Sequence, residues 1–137
     1  MRRVIIDANV FLSFIVHRNE KQREAAKGLL AKAEDGALVA ILPQFVVFEV
    51  AYVLQSAYDF RDDQLATLIR DLIALPGVQI TDECPWRRVF KVWPRPLPSL
   101  ADASIVAAAM ASGYEAVATF DRKLANRLES FRLTPYW

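Results

Sequence analysis

Short apolar blocks alternate along the chain with longer stretches in which apolar residues recur every three or four positions. The blocks at 3–6, 38–42, 78–80 and 116–119 have the length and branching of strands. The second, Leu38 to Leu42, is apolar without interruption, as expected of a strand buried on both faces. Between the blocks, helical spacing predicts helices at 10–16, 23–32, 43–58, 62–74, 85–93, 99–112 and 122–129. Pro43 suits a first helical turn, Ser99 an N-cap, and Gly113 a left-handed C-cap. A last strand is expected at 131–133. Strands alternating with helices predict a mostly parallel sheet with right-handed crossovers. The expected architecture is α/β, a three-layer α/β/α sandwich filling residues 1–137 as a single domain.

Four acids interrupt this pattern where solvation alone does not explain them. Asp7 follows the first strand. Glu49 is the only charge in an otherwise apolar helix after the second, about 9 Å along from Pro43. Asp102 shares a helical face with Ile105, Val106 and Ala109, and Asp121 follows the strand at 116–119. In a parallel α/β sheet these positions converge on one edge, outside the carboxyl ends of the strands, where such sheets place their ligands.

Composition narrows the classes. The chain has 137 residues, enough for a substantial core, and no apolar run approaches membrane-spanning length. The opening MRRVIIDANVFL faintly resembles a signal peptide, but Asp7 breaks its apolar run and no small-residue cleavage site follows. Cys84 is the only cysteine, which fits a reducing, cytoplasmic compartment. A formal net charge of +1 neither demands nor excludes a nucleic-acid partner.

Two carboxylates about 5 Å apart repel by roughly 3 kcal/mol at an effective dielectric near 20. The motifs offer no lysine or arginine to neutralise them, Arg122 and Lys123 lying just past the last acid. Either some carboxyls hold protons or a hard divalent cation sits among them. Oxygen ligands without a His or Cys cluster select Mg²⁺ or Mn²⁺ over zinc. One or two such ions can orient a water, lower its pKa and stabilise an in-line displacement at phosphorus. The implied chemistry is metal-dependent phosphodiester hydrolysis.

The segments VIIDANVFL, PQFVVFEVAYVL, LADASIVAAA and AVATFDRKL, in that order, resemble the PIN-domain family, most closely its VapC-type toxins. The resemblance runs from Arg3 to Leu133 and implies a Mg²⁺-dependent endoribonuclease, with Mn²⁺ able to substitute. Asp7, Glu49, Asp102 and Asp121 would then hold metal and the attacking water. Asn9 and Thr119 match small polar positions that support ligands or the scissile phosphate. The resemblance also implies an RNA substrate, a cognate antitoxin protein and a homodimer.

Each acid also has a structural account. Ser99-x-x-Asp102 matches a capping box, Asp121 can cap the last helix, and Asp7-Ala8-Asn9 can be a plain turn. Glu49 resists such an account, and taken jointly the four favour a metal site. Trp86, Val89, Phe90 and Trp93 share helical spacing and are expected in the core, with Arg87, Arg88, Lys91 and Arg95 solvated. Phe45, Val47 and Phe48 suit either the core or an exposed docking patch. His17 reads as ordinary surface. Two other functions compete. One is a catalytically silent PIN-like domain that binds RNA or protein. The other is a phosphoacceptor signalling domain, which would use Asp82 after the third strand and a late lysine.

Overall fold

Val4, Ile5 and Ile6 have no exposed surface, and the fold is arranged around them. In the computed structural model, which describes residues 1–137, they complete the first strand, β1 (Arg2–Ile6). β1 lies between β2 (Leu38–Pro43) and β4 (Ala116–Ala118), and β3 (Val78–Thr81) pairs with the far side of β2. All pairs are parallel, with Ile5 opposite Ile41 on one side and Val117 on the other. Parallel strands need long crossovers and apolar cover on both faces.

Helices α1 (Ala8–Ile15) and α2 (Glu20–Glu34) join β1 to β2, and α3 (Gln44–Tyr58) and α4 (Asp62–Ile73) join β2 to β3. Both steps move outward from β1, so right-handed crossovers put these four helices on one face. There α1 packs on α2 and α3, and α3 on α4. The step from β3 back past β1 to β4 runs the other way and carries α5 (Trp86–Val92) and α6 (Leu100–Ser112) to the opposite face. Ala103, Ala107, Ala108 and Ala109 of α6 are fully buried, and their small side chains let the helix lie close against its neighbours. Ser99 caps α6 and Gly113 ends it at φ 63°, as expected. Gly77, at φ 78° in the turn before β3, lies so close to the Ala33 carbonyl that a side chain there would collide with it. No helix is long and apolar enough to cross a membrane.

The direction change after β3 makes the gap between β1 and β4 a topological switch point, the position at which such sheets open a crevice. Short α7 (Arg122–Arg127) follows β4 and runs into a 3₁₀ turn at Leu128–Phe131.

Three expectations are corrected or decided here. The strand expected at 131–133 is not formed, because the 3₁₀ turn takes up Phe131 and Arg132 follows it with φ 59°. The next segment meets the sheet instead. The Val117 N–H donates to the Thr134 carbonyl at 2.9 Å, and the Tyr136 N–H donates to the Val117 carbonyl at 2.8 Å. Pro135 between them forms a single parallel bridge with Val117, its neighbours supplying both bonds. Trp86 and Phe90 are not core residues, being 50% and 63% exposed. The contact of α5 with the fold is filled by Val89 and Val92, leaving the rings of Trp86, Phe90 and Trp93 in a row at 5.8 Å spacing. On α3, Val47 is buried, Phe45 partly so, and Phe48 and Tyr52 stand out in solvent, 71% and 70% exposed.

Candidate active site

Asp7 ends β1 where the backbone turns into α1, and it is almost wholly buried. A buried carboxylate needs donors, and three surround it. The Ala8 N–H donates to Oδ1 at 2.8 Å, while the Thr119 hydroxyl and the Asn9 amide donate to Oδ2 at 2.8 and 3.1 Å. Asn9 also accepts the Phe120 N–H at 3.0 Å, and Thr119 accepts the Asp121 N–H at 3.1 Å. Asn9 and Thr119 therefore tie the end of β1 to the end of β4. Despite these donors, burial pushes the Asp7 carboxyl above its ordinary range, and the charge of Asp121 adds to the effect.

Glu49 projects from the second turn of α3, half-buried. Burial, then the charges of Asp7 and Asp102, push its carboxyl up to about 7. Asp102 stands in the first turn of α6. The Ser99 hydroxyl accepts its backbone N–H at 3.2 Å, but the Asp102 carboxylate makes no return bond. Only half of the capping box forms, so the carboxylate is not used up by the cap. Burial first, then Asp7 and Asp121, raise it to about 6, with Arg127 of α7 opposing. Asp121 does cap: its Oδ1 accepts from the backbone of Lys123 at 2.9 Å and Leu124 at 3.3 Å, leaving Oδ2 outside the cap.

Asp7 is thus coupled by charge to Asp121, Glu49 and Asp102, and Asn9 and Thr119 are bonded to it. None of the four acids forms a salt bridge. Asp82, by contrast, follows the edge strand β3, two strands away at about 4.8 Å per step, and accepts from Gln44. That removes the acceptor position a phosphoacceptor domain would need. His17 lies on the surface against Glu20.

Two residues at the site had no signal in the sequence. Arg18 donates to the Asn9 carbonyl at 3.2 Å and to the Ser13 hydroxyl at 3.2 Å, bracing the turn after Asp7. Arg127 reaches Asp102 electrostatically from the end of α7 while donating to the Pro96 carbonyl. Arg127 lies 25 residues beyond Asp102 and Arg18 reaches back nine to Asn9, and no motif marks either.

The donor set is all oxygen, electron-rich and short of positive charge, which suits a hard divalent cation. No three His, Cys, Asp or Glu side chains are close enough to enclose an ion by themselves.

A family model described as PIN domain matches residues 4–128. Among solved structures, VapC20 of Mycobacterium tuberculosis, described as a sarcin-ricin loop cleaving toxin, has a TM-score of 0.66 to this chain. It is 16% identical, over 90% of this chain and 93% of that one. PAE2754 of Pyrobaculum aerophilum has a TM-score of 0.62 and 19% identity, over 92% of this chain and 86% of that one. No curated protein matches the sequence. At these identities the two structures establish a common fold, and the family model covers nearly all of it. This chain belongs to the PIN domain family.

Proposed function

We propose that the chain is a metal-dependent endoribonuclease. The observation that carries this reading is the set of three acids, Asp7, Glu49 and Asp102, all raised above their ordinary range at the switch point and without an ion-pairing partner. Proteins seldom keep such a cluster without a use for it. Asp7, Glu49, Asp102 and Asp121 are the residues to hold Mg²⁺, with Mn²⁺ as a substitute. When bound, the ion supplies a water of lowered pKa and positive charge for the phosphate in an in-line displacement. Asp7 is held in one rotamer by its three donors, so it fixes the position of the site. Glu49 and Asp102 reach it from opposite faces of the sheet, and Asn9 and Thr119 keep Asp7 oriented. Asp121 contributes its free Oδ2.

The likeness to VapC20 supports a toxin role, with a cognate antitoxin as partner. The exposed pair Phe48 and Tyr52, one turn apart on α3, gives a second copy an apolar surface for a homodimer. A cytoplasmic location goes with the same reading, Cys84 having no disulfide partner.

Calorimetric titration with Mn²⁺, paired with cleavage of labelled RNA, tests the proposal. Millimolar or tighter binding, cleavage in Mg²⁺ that EDTA stops, and loss of both in Asp102→Asn are expected. Absence of binding at millimolar Mn²⁺ with RNA left intact would overturn it in favour of a silent RNA- or protein-binding domain.

A further inference from the structure

Beside the acids, on the far side of Thr119, lies a cavity of about 410 Å³ with the opposite character. Lys21, Gln22, Thr119, Phe120, Arg122 and Trp137 line it, and no acid does. Thr119 belongs to both places, since its hydroxyl donates to Asp7. Phe120 follows it, with its N–H fixed on Asn9. The cavity therefore shares Thr119 with the acid cluster and is flanked in sequence by Asp121.

Its aromatic wall is built in advance. Trp137 stacks on Phe120 with ring centroids 4.6 Å apart and planes 18° from parallel. The Thr134–Tyr136 segment is bonded to Val117 on both sides, which anchors the approach to Trp137. The Tyr136 ring meets Trp137 edge-on at 5.1 Å and carries the Arg2 guanidinium over it at 5.2 Å. Even so, Trp137 stays 48% exposed at the wall of the cavity. Lys21 and Arg122 are both exposed cations at this wall. Gln22 accepts from the buried Ser13 hydroxyl through Oε1 at 2.8 Å, and its amide nitrogen donates to no group of the chain.

A flat exposed ring, two cations and an amide donor match the parts of a nucleotide. Aromatic stacking holds a base whatever its identity. Lys21 and Arg122 suit a phosphate, and the Gln22 amide suits an acceptor on a base edge. We infer that this cavity is a nucleotide subsite, which seats an unpaired RNA base on Trp137 next to the scissile phosphate. The inference rests on the ribonuclease reading for its substrate and adds to it the residues that position the strand. It also selects single-stranded or splayed RNA over a duplex, because a paired base cannot reach Trp137.

The test is anisotropy of a short labelled single-stranded oligoribonucleotide, with EDTA present so that binding is read without cleavage. Wild-type protein should bind it. Trp137→Ala should weaken binding about tenfold, Trp137→Phe should keep it within about threefold, and Arg122→Ala should lower the salt dependence by about one ion. Equal affinity of wild type and Trp137→Ala, the variant being folded by circular dichroism, overturns the subsite; so does a wild type that does not bind the strand. Parallel cleavage in Mg²⁺ separates the two proposals. Cleavage with Trp137-independent binding leaves the nuclease standing without the subsite, and Trp137-dependent binding without cleavage does the reverse.

Discussion

At the amino end of the sheet, Glu115 accepts the Arg3 backbone N–H at 2.8 Å and lies 3.4 Å from the same residue's guanidinium. At the carboxyl end, Glu49 makes no ion pair and has only the acids Asp7 and Asp102 for charged company. The consequences run in opposite directions. The backbone and side-chain donors of Arg3 hold the Glu115 carboxyl below its ordinary range, whereas burial and like charge push Glu49 up to about 7. Both are glutamates of one small domain, so the difference comes from placement. One end of the sheet is a finished structural contact. The other gathers acids, none of which forms a salt bridge with a cation of the chain.

The largest test of that contrast is Asp7→Asn. The amide keeps an oxygen for the Ala8 N–H, while its new nitrogen faces the Asn9 amide and the Thr119 hydroxyl, so the loss is confined to that one corner. The fold should survive, with circular dichroism unchanged and Tm within a few degrees. Cleavage of RNA should nonetheless fall by roughly 10³-fold or more, as when a residue central to a catalytic unit is lost. Undiminished cleavage would make the carboxyl end as purely structural as the amino end.

How much of this contrast the chain displays before folding depends on which physical signal is asked for. Glu49 was legible because a lone charge in an apolar helix is costly anywhere. Ser99, Gly113 and the strand-end acids were legible because caps and strand ends are local features. Exposure on α5 was not legible, since periodicity tells which residues share a face and not which face is covered. Trp86 and Phe90 were misplaced for that reason. The bridge from Thr134 and Tyr136 to Val117 was likewise hidden, because it depends on where the 3₁₀ turn releases the chain. Arg127 reaches the site across a sequence gap that no local pattern spans, and Arg18 does so from a polar loop that carries no motif.

Acidity gives the second test. In metal-free protein the Glu49 carboxyl is raised from 4.5 to about 7, and that of Asp102 from 3.8 to about 6. A raised carboxyl pKa means that the folded state holds its proton more tightly than the unfolded chain. The resulting stability is fully present below about pH 4 and is lost as pH rises through 6 to 7. Both groups are partly exposed, so after discounting for solvent screening their joint effect is about 2 kcal/mol. Urea unfolding in EDTA should therefore show a less stable protein at pH 8 than at pH 5. Glu49→Gln should flatten that slope, and Mn²⁺ should restore stability at pH 8, by about 2.7 kcal/mol when its concentration is a hundred times its Kd. A flat profile in EDTA would mean that the acids are already neutralised within the chain.

The smallest expected effect lies at the amino end and works as the control. The pKa of Glu115 is lowered, so its contribution is present above pH 4.5 and is lost as pH falls further, the opposite sign to Glu49. The pair it forms with Arg3 is exposed, with over 40% of each side chain in solvent, and exposed pairs contribute little. Glu115→Gln keeps an oxygen for the Arg3 N–H and should move Tm by about 1 °C or less at pH 8. It should leave the Mn²⁺-induced stabilisation and RNA cleavage at wild-type levels. A loss of either on changing Glu115 would show that the two ends of the sheet are energetically coupled. The acids at the carboxyl end would then owe part of their strain to the charge balance of the whole domain rather than to their own crowding.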